Sequence, residues 1–499
     1  MAPRITIHGH FYQPPREDPW TGAIPEQASA APAHDWNERV HQESYRPNAF
    51  AQIPGSEDPV TVNNFEKLSF NVGPTLLLWM EEADPETYQR IIEADRNSLE
   101  QLGHGNAIAQ AYHHTILPLS PLRDVRTQVR WGVSDFRYRY GREPEGMWLP
   151  ETAANDDTLE VLIEEGVTFT ILAPNQAGYL RDEEGTWIPV QEVGLDTTTP
   201  YRYMHRDGSG RSVSLFFYDG AIARAIAFER AGESGEGFID LFETKLTEEG
   251  LVHAATDGET YGHHHTFSEL GLAYALFVEA PKRDIEVTNY ATFLEKHPPE
   301  REVRLIPGQG TSWSCAHGVG RWKEHCGCST GGKEGWTQEW RGPLRRALEL
   351  VRDAADEAFD RLGSAVFADP WGARDRYVAV AIGAKDLVTF LNEEAAGPAD
   401  EVVSRQAADL LELQRNSMSM FTSCGWFFND IGGIETIQVL AYAARTLGLL
   451  EELGQPGPRD AFIALLQQAK SNEDEVGTGA DVFSGALPVL TAREQEVSG

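Results

Sequence analysis

Lysine is scarce in this chain: eight residues against 34 arginines, in a sequence where 77 acidic side chains face 42 basic ones and the formal net charge is −35. Such a surface repels phosphate backbones, which excludes nucleic acid as an expected partner. The acidity reads as a solvated surface, and a neutral substrate is compatible with it without being selected by it. Cysteine is as sparse. Cys315, Cys326, Cys328 and Cys424 are the whole set, and three of them fall within fourteen residues, which is no disulfide framework for 499 residues. Long apolar runs are missing too. No stretch approaches the roughly 18–20 apolar residues of a membrane-spanning helix. The opening Arg4-Ile5-Thr6-Ile7-His8 carries no apolar signal core, so the expected location is the cytosol. What remains, 41% hydrophobic and 10% aromatic residues, is enough for packed cores and argues against global disorder. The length points to two or three domains.

The first 310 residues alternate strand-like and helix-like segments. Short apolar runs recur at Ile5-Thr6-Ile7, Thr168–Leu172, Ser214–Phe217 and Leu251–Ala255, and between them lie amphipathic stretches such as 156–166 and 238–250. This alternation predicts a parallel α/β sheet or barrel. From about Trp336 the pattern changes. Leu344, Ala347, Leu348, Val351, Ala355 and Ala358 recur at three and four, as do Val403, Ala407, Leu410 and Leu411, so the C-terminal part is expected to be all-helical. The expected division is an α/β domain over 1–310, a Gly/Cys/His-rich connecting loop over 311–335, a helical domain over 336–470 and an irregular tail over 471–499.

Four polar clusters stand at predicted C-terminal strand ends, where active sites of parallel α/β folds collect. His8 and His10, followed by Gln13, alternate onto one side of the first strand. Asn106, Gln110, Tyr112, His113 and His114 form a donor-rich strip suited to hydroxyl groups. Glu151 follows Gly146-Met-Trp148-Leu-Pro150, a carboxylate fixed behind a proline and beside an indole platform for a sugar ring. Asp257-Gly-Glu259-Thr-Tyr-Gly262-His263-His264-His265 closes an apolar strand. Two carboxylates two residues apart can shift one another's pKa, and a general acid must hold a proton. Its glycines would let backbone approach a ligand. Three adjacent histidines cannot all face one point, so at most two could share a metal.

In this order the clusters resemble glycoside hydrolase family 57 over roughly residues 4–310, and the continuation resembles the helical C-terminal domain of one uncharacterised subgroup. Trp148-Leu-Pro-Glu151 is similar to the motif bearing the family's nucleophile, and Asp257-Gly-Glu259-Thr-Tyr-Gly262-His263 to the one bearing its acid/base. His10 with Gln13-Pro14, and Tyr112 to Leu119, are similar to the first two motifs. The resemblance implies a seven-stranded (β/α) barrel followed by helices. It also implies a retaining double displacement on α-glucans, by hydrolysis or 4-α-glucan transfer, with Glu151 as nucleophile and Asp257 as acid/base. Substrate contacts are expected from His8, His10, Gln13, Asn106, Tyr112, His113, Trp148, Glu259, His263 and Trp426. No cofactor and no catalytic metal are expected. Two rivals stand beside this reading. One is a metal-dependent polysaccharide deacetylase using Asp257 with His263, or with His8 and His10; the other is a catalytically silent glycan-binding protein.

Two clusters lie further on. Cys315, His317, His325, Cys326 and Cys328 could supply a tetrahedral zinc site. The Cys-x-Cys spacing departs from the usual pattern, and the preferred reading is a packed, hydrogen-bonded loop. Cys424-Gly-Trp426-Phe427-Phe428 interrupts two helices and is expected to put Trp426 beside a sugar subsite, a helix–helix contact being the alternative.

Overall fold

A computed structural model describes residues 2–53, 60–231, 234–398 and 400–485. It divides into two compact units: Met1–Gln13, Glu26–Ala111 and Phe136–Trp313 form the first; Pro14–Pro25, Tyr112–Asp135 and Ser314–Gly499 form the second.

The first unit is built on parallel strands. We label β1 Arg4–Phe11, β2 Ser69–Val72, β3 Ala109–Gln110, β4 Met147–Trp148, β5 Phe169–Leu172, β6 Ser212–Phe217 and β7 Leu251–Asp257. Every residue of β1 is buried, as expected for a strand covered on both faces. β1 pairs in parallel with β7 (His8↔Ala255, His10↔Asp257) and with β2 (His8↔Ser69, His10↔Asn71). A parallel bridge Phe70↔Ala107 continues towards β3, which pairs with β4 (Gln110↔Trp148); the bridge Gly146↔Phe169 leads to β5, and β5 pairs with β6. Between β6 and β7 there is a backbone bond, Asp219 N–H to His253 O at 2.8 Å, and no ladder among the described residues, so their strand pairing does not close into a barrel. Beyond β6 the sheet runs on through the antiparallel strand Tyr201–Met204 to Arg301–Leu305, Ala177–Arg181 and Trp187–Pro189.

The second unit is helical. Its long helices are Arg341–Val366, Glu401–Ser419 and Ile434–Glu452. The periodic residues Leu344, Ala347, Leu348, Val351, Ala355, Ala358, Ala407, Leu410 and Leu411 are all buried, as the spacing predicts. Tyr112–Asp135, which lies inside the expected α/β domain in sequence, belongs to this unit for identifiable reasons. Asp124 pairs at 2.7 Å with the buried Arg374, the Trp131 indole donates to Arg374 O at 3.1 Å, and Tyr112 and Trp131 join the same apolar cluster as Phe359 and Leu410. Part of the expected irregular tail is also ordered here. Asp430 accepts from Ser471 Oγ and Asn472 N, and Phe483 is buried against Phe462. Residues 486–499 lie outside the described residues. Among the described residues no helix is long and apolar enough to cross a membrane.

Candidate active site

Strand register builds the floor of the site. Paired residues of parallel strands project on the same face, so His10 of β1 shares a face with Asn71 of β2 and Asp257 of β7. Asn71 Nδ2 donates to His10 Nδ1 at 2.9 Å and to Gln110 Oε1 at 2.7 Å, while its Oδ1 accepts from His8 Nε2 at 3.0 Å. Ser69 Oγ lies 3.1 Å from His8 Nδ1 and donates to it. Both His8 nitrogens are therefore occupied within the protein, the ring is fully buried, and burial pushes its pKa down to about 3, so it is neutral. The expected substrate contact from His8 gives way to a structural one.

Trp148 lies in the middle of this layer. His8 stacks on it at 4.8 Å and His10 at 5.0 Å, Trp313 meets it edge-on at 5.1 Å, and none of its surface is exposed. It cannot offer a face to a sugar, which corrects that expectation. The aromatic side chain that remains half-exposed beside the carboxylate is Trp313.

Glu151 sits three residues past β4 in left-handed backbone (φ 59°), followed by Thr152 at φ 50°. Each such conformation costs a non-glycine residue of order 1–3 kcal/mol and persists where surrounding bonds impose it. Here Trp313 N–H donates to Glu151 O at 3.1 Å and Thr152 N–H to Leu149 O at 2.8 Å. Buried Gln176 donates to Thr152 O at 2.8 Å and accepts from Thr152 Oγ1 at 2.9 Å. The Trp313 indole then donates to Glu151 Oε2 at 2.9 Å. Trp313 and Gln176 were not singled out from sequence for this role. Trp313 reads there as part of the cysteine loop, and nothing local marks Gln176.

Asp257 ends β7 with its side chain open to solvent, although protein surrounds it on most sides. A group on the floor of a concavity has this combination. The enclosing protein and the charges of Glu259 and Glu151 hold its carboxyl pKa well above the usual range. Tyr218, just past β6, is kept protonated by burial and by the Asp257 charge, and its ring meets Trp313 at 6.4 Å. Glu259 is buried, accepts from Tyr12 N–H at 2.9 Å and Tyr45 Oη–H at 2.6 Å, and is pushed up to about 7 by burial. Its charge is among those that raise Asp257. Gln13 donates to Tyr45 Oη at 3.2 Å and so supports the same group.

The remaining expected contacts are placed elsewhere. Asn106 is buried, with its amide bonded to Phe65 O and Asn289 Nδ2, which makes it a strut rather than a sugar ligand. Tyr112 and His113 are buried in the second unit. Gln128 brackets His113 through its N–H (2.8 Å) and Nδ1 (2.9 Å), and Trp131 meets both rings. The three histidines after Gly262 diverge as expected: His263 pairs with Glu43, His265 with Ala227 O. Gly258 and Gly262 serve packing instead of ligand approach, since a Cβ at the first would meet the Phe11 ring at 2.3 Å and at the second Glu43 O at 2.1 Å. Trp426 is 1% exposed, stacked on Phe421, with its indole on Arg341 O, so it is core of the helical unit and not a subsite platform. A cavity of about 760 Å³ lined by Trp187, Tyr203, Arg206 and Glu302 contains neither Glu151 nor Asp257.

Comparison with known proteins bears on this arrangement. Residues 336–497 match a domain of unknown function (DUF3536). The chain is 22% identical over 276 residues to an α-amylase of Pyrococcus horikoshii, and 22% identical over 278 residues to a 4-α-glucanotransferase of Thermococcus litoralis. Each match takes in 54% of this chain but only 38% and 37% of those proteins, so the chain spans well under half the length of these curated relatives. In fold it is similar to an exo-type maltose-forming amylase from Pyrococcus sp. ST04 (TM-score 0.67, 16% identity, 93% of this chain and 82% of that one). It is also similar to a branching enzyme from Pyrococcus horikoshii (TM-score 0.55, 15% identity, 97% of each). Residues 8–306 match the model of glycosyl hydrolase family 57, which takes in Trp148, Glu151 and Asp257 together; the chain belongs to that family.

Proposed function

We propose that the protein is a retaining enzyme of α-glucans, a hydrolase or a 4-α-glucanotransferase, with Glu151 as nucleophile and Asp257 as general acid/base. The observation that carries this reading is the protonation bias at Asp257. A carboxyl held well above its ordinary pKa, with Glu151 among the charges that raise it, supports a proton donor working with a carboxylate. The named relatives, an α-amylase and a 4-α-glucanotransferase, point to α-glucan as the substrate. In the double displacement Glu151 attacks the anomeric carbon as the glycosidic C–O bond breaks, and the Asp257 proton passes to the leaving oxygen. Asp257, now a carboxylate, takes a proton from water or a sugar hydroxyl, whose oxygen displaces Glu151. The two carboxyls are expected about 5–5.5 Å apart for this. The Trp313 indole, bonded to the Glu151 carboxylate, orients the nucleophile.

We read the seven parallel strands, linked in the order β7–β1–β2–β3–β4–β5–β6, as a seven-stranded (β/α) barrel whose laddering is incomplete. The Asp219–His253 bond supports that closure. A cytosolic location belongs to the same reading. Of the two ligand sets the deacetylase alternative offers, the one with His8 and His10 is weakened because His8 spends both nitrogens on Ser69 and Asn71, and the one with His263 because its Nδ1 is paired with Glu43.

Incubation with maltooligosaccharides, amylose and glycogen, followed by product chromatography and anomer-resolved NMR, tests the proposal. Retained α products, of shorter chains for hydrolysis or redistributed lengths for transfer, are expected. Glu151→Gln should abolish turnover, and Asp257→Asn should lose far less on substrates with good leaving groups than on glucans. Inverted products, or near-wild-type rates in both variants, would overturn the assignment and move attention to Glu259.

A further inference from the structure

In the helical unit, Cys315, His317, Cys326 and Cys328 converge although they are spread over fourteen residues of a largely exposed loop. One ligand atom from each lies within 4.8 Å of all the others. Cys315 Sγ is 3.9 Å from Cys326 Sγ and 3.8 Å from Cys328 Sγ, and Cys328 Sγ is 3.5 Å from His317 Nδ1. A zinc ion with Zn–S near 2.3 Å and Zn–N near 2.05 Å in tetrahedral geometry requires S···S edges of about 3.8 Å and S···N edges of about 3.5 Å. Three of the six edges, 3.9, 3.8 and 3.5 Å, match these values, and every edge lies within 4.8 Å. They do not match a disulfide, which needs about 2.05 Å between two sulfurs and leaves the other two groups unexplained. His325 stands outside the cluster, its Nδ1 accepting from Gln338 N–H at 3.1 Å.

The surroundings are arranged for negative sulfur. Cys328 N–H donates to Cys326 Sγ at 3.5 Å, backbone N–H groups of His317 and Arg321 point at Cys315, and that of Ala316 at Cys328. Two guanidinium groups, Arg321 and Arg341, are buried beside the cluster. Arg321 Nε and Nη1 and Arg341 Nε have no hydrogen-bond partner, and neither side chain forms an ion pair with a carboxylate among the described residues. Buried cations without a counter-charge are costly. Zn²⁺ held by three thiolates and a neutral imidazole carries a net charge of −1, which four neutral side chains would not supply. Arg341 also donates to Cys328 O at 2.8 Å and Phe428 O at 3.1 Å, tying the loop to the start of its own long helix and to the Cys424–Phe427 turn.

We propose that Cys315, His317, Cys326 and Cys328 bind one zinc ion in a closed Cys3His site that holds this loop in place. With four protein ligands there is no open position for substrate, so the role is structural.

The full chain, purified after expression with added zinc, should contain one zinc per molecule by mass spectrometry of the metal. Cobalt(II) exchanged into it should show the strong visible bands of tetrahedral coordination and a near-ultraviolet thiolate charge-transfer band. Cys326→Ser and His317→Ala should lower zinc retention against a mild chelator by at least about tenfold. Cys424→Ser should leave it unchanged. If the ligand variants fail to fold, the wild-type thiols decide. Three should be protected from a thiol reagent until a strong chelator is added, then react. Zinc far below one per chain, bound iron instead of zinc, an octahedral cobalt spectrum, a Cys315-containing disulfide, equal loss in Cys424→Ser, or thiols equally reactive before chelation would each overturn the proposal.

Discussion

Trp313 shows how much one side chain can decide. Its backbone N–H fixes the strained carbonyl of Glu151 and its indole fixes the carboxylate, while its ring covers Trp148. Trp313→Phe keeps the ring and removes the Nε1 donor. A hydrogen bond to a charged group is worth about 1.5–3 kcal/mol, so kcat should fall roughly tenfold or more with little change in Tm. A large fall in Tm with unchanged kcat would make the residue packing alone. Glu259 permits a signed pH prediction. Its folded pKa, about 7, lies above its ordinary value of 4.5, so the folded state holds the proton more tightly than the unfolded one. Stability from this group is full below pH 4.5 and is lost as pH rises through 7, by up to about 3 kcal/mol. Glu259→Gln should flatten that part of the Tm–pH curve. It also removes a charge that raises Asp257, so the alkaline limb of the kcat/KM profile should move to lower pH. A limb that stays in place would show that Glu259 does not act on Asp257.

Among the elements, the turn between helices Glu401–Ser419 and Ile434–Glu452 is the one whose role differs most from expectation. Cys424–Phe427 folds as a short helix, and Trp426 enters the interior with its indole on Arg341 O. Trp426→Ala therefore removes a buried large ring and should destabilise the helical unit by about 3–5 kcal/mol, read as a fall in Tm, while affinity for oligosaccharide in the folded fraction is unchanged. Weakened binding at unchanged Tm would return it to a subsite. Strand β1 teaches the complementary lesson. The alternation of His8 and His10 is visible in sequence, but their partners, Ser69 and Asn71, stand sixty residues away and were set by register.

For the whole molecule the dominant physical fact is the charge of −35. Self-repulsion among excess carboxylates destabilises the compact state, and added salt screens it over about 10 Å at 0.1 M. Raising sodium chloride from low millimolar to molar levels should increase Tm, even though it also weakens surface ion pairs such as Arg206–Asp157 and Arg283–Asp240, because unpaired acidic charge outnumbers them. A Tm that falls monotonically with salt would mean those pairs outweigh the repulsion.

Sequence alone determined that an α/β part precedes an all-helical part, because hydrophobic periodicity is a local property of which face a side chain buries. It also offered the two proposed carboxylates, since Pro150-Glu151 and Asp257-Gly-Glu259 carry their chemistry within a few residues. Tertiary structure decided which neighbours serve them. His8, Asn106, Trp148 and Trp426 carry side chains suited to sugars, and burial assigned each to the interior instead. Trp313 reaches the Glu151 carboxylate and Gln176 its neighbour Thr152 from distant segments, and the pairing of Tyr112–Asp135 with the helices rests on Asp124 meeting Arg374 across 250 residues. Such meetings depend on strand register and helix packing, which no short stretch of sequence encodes.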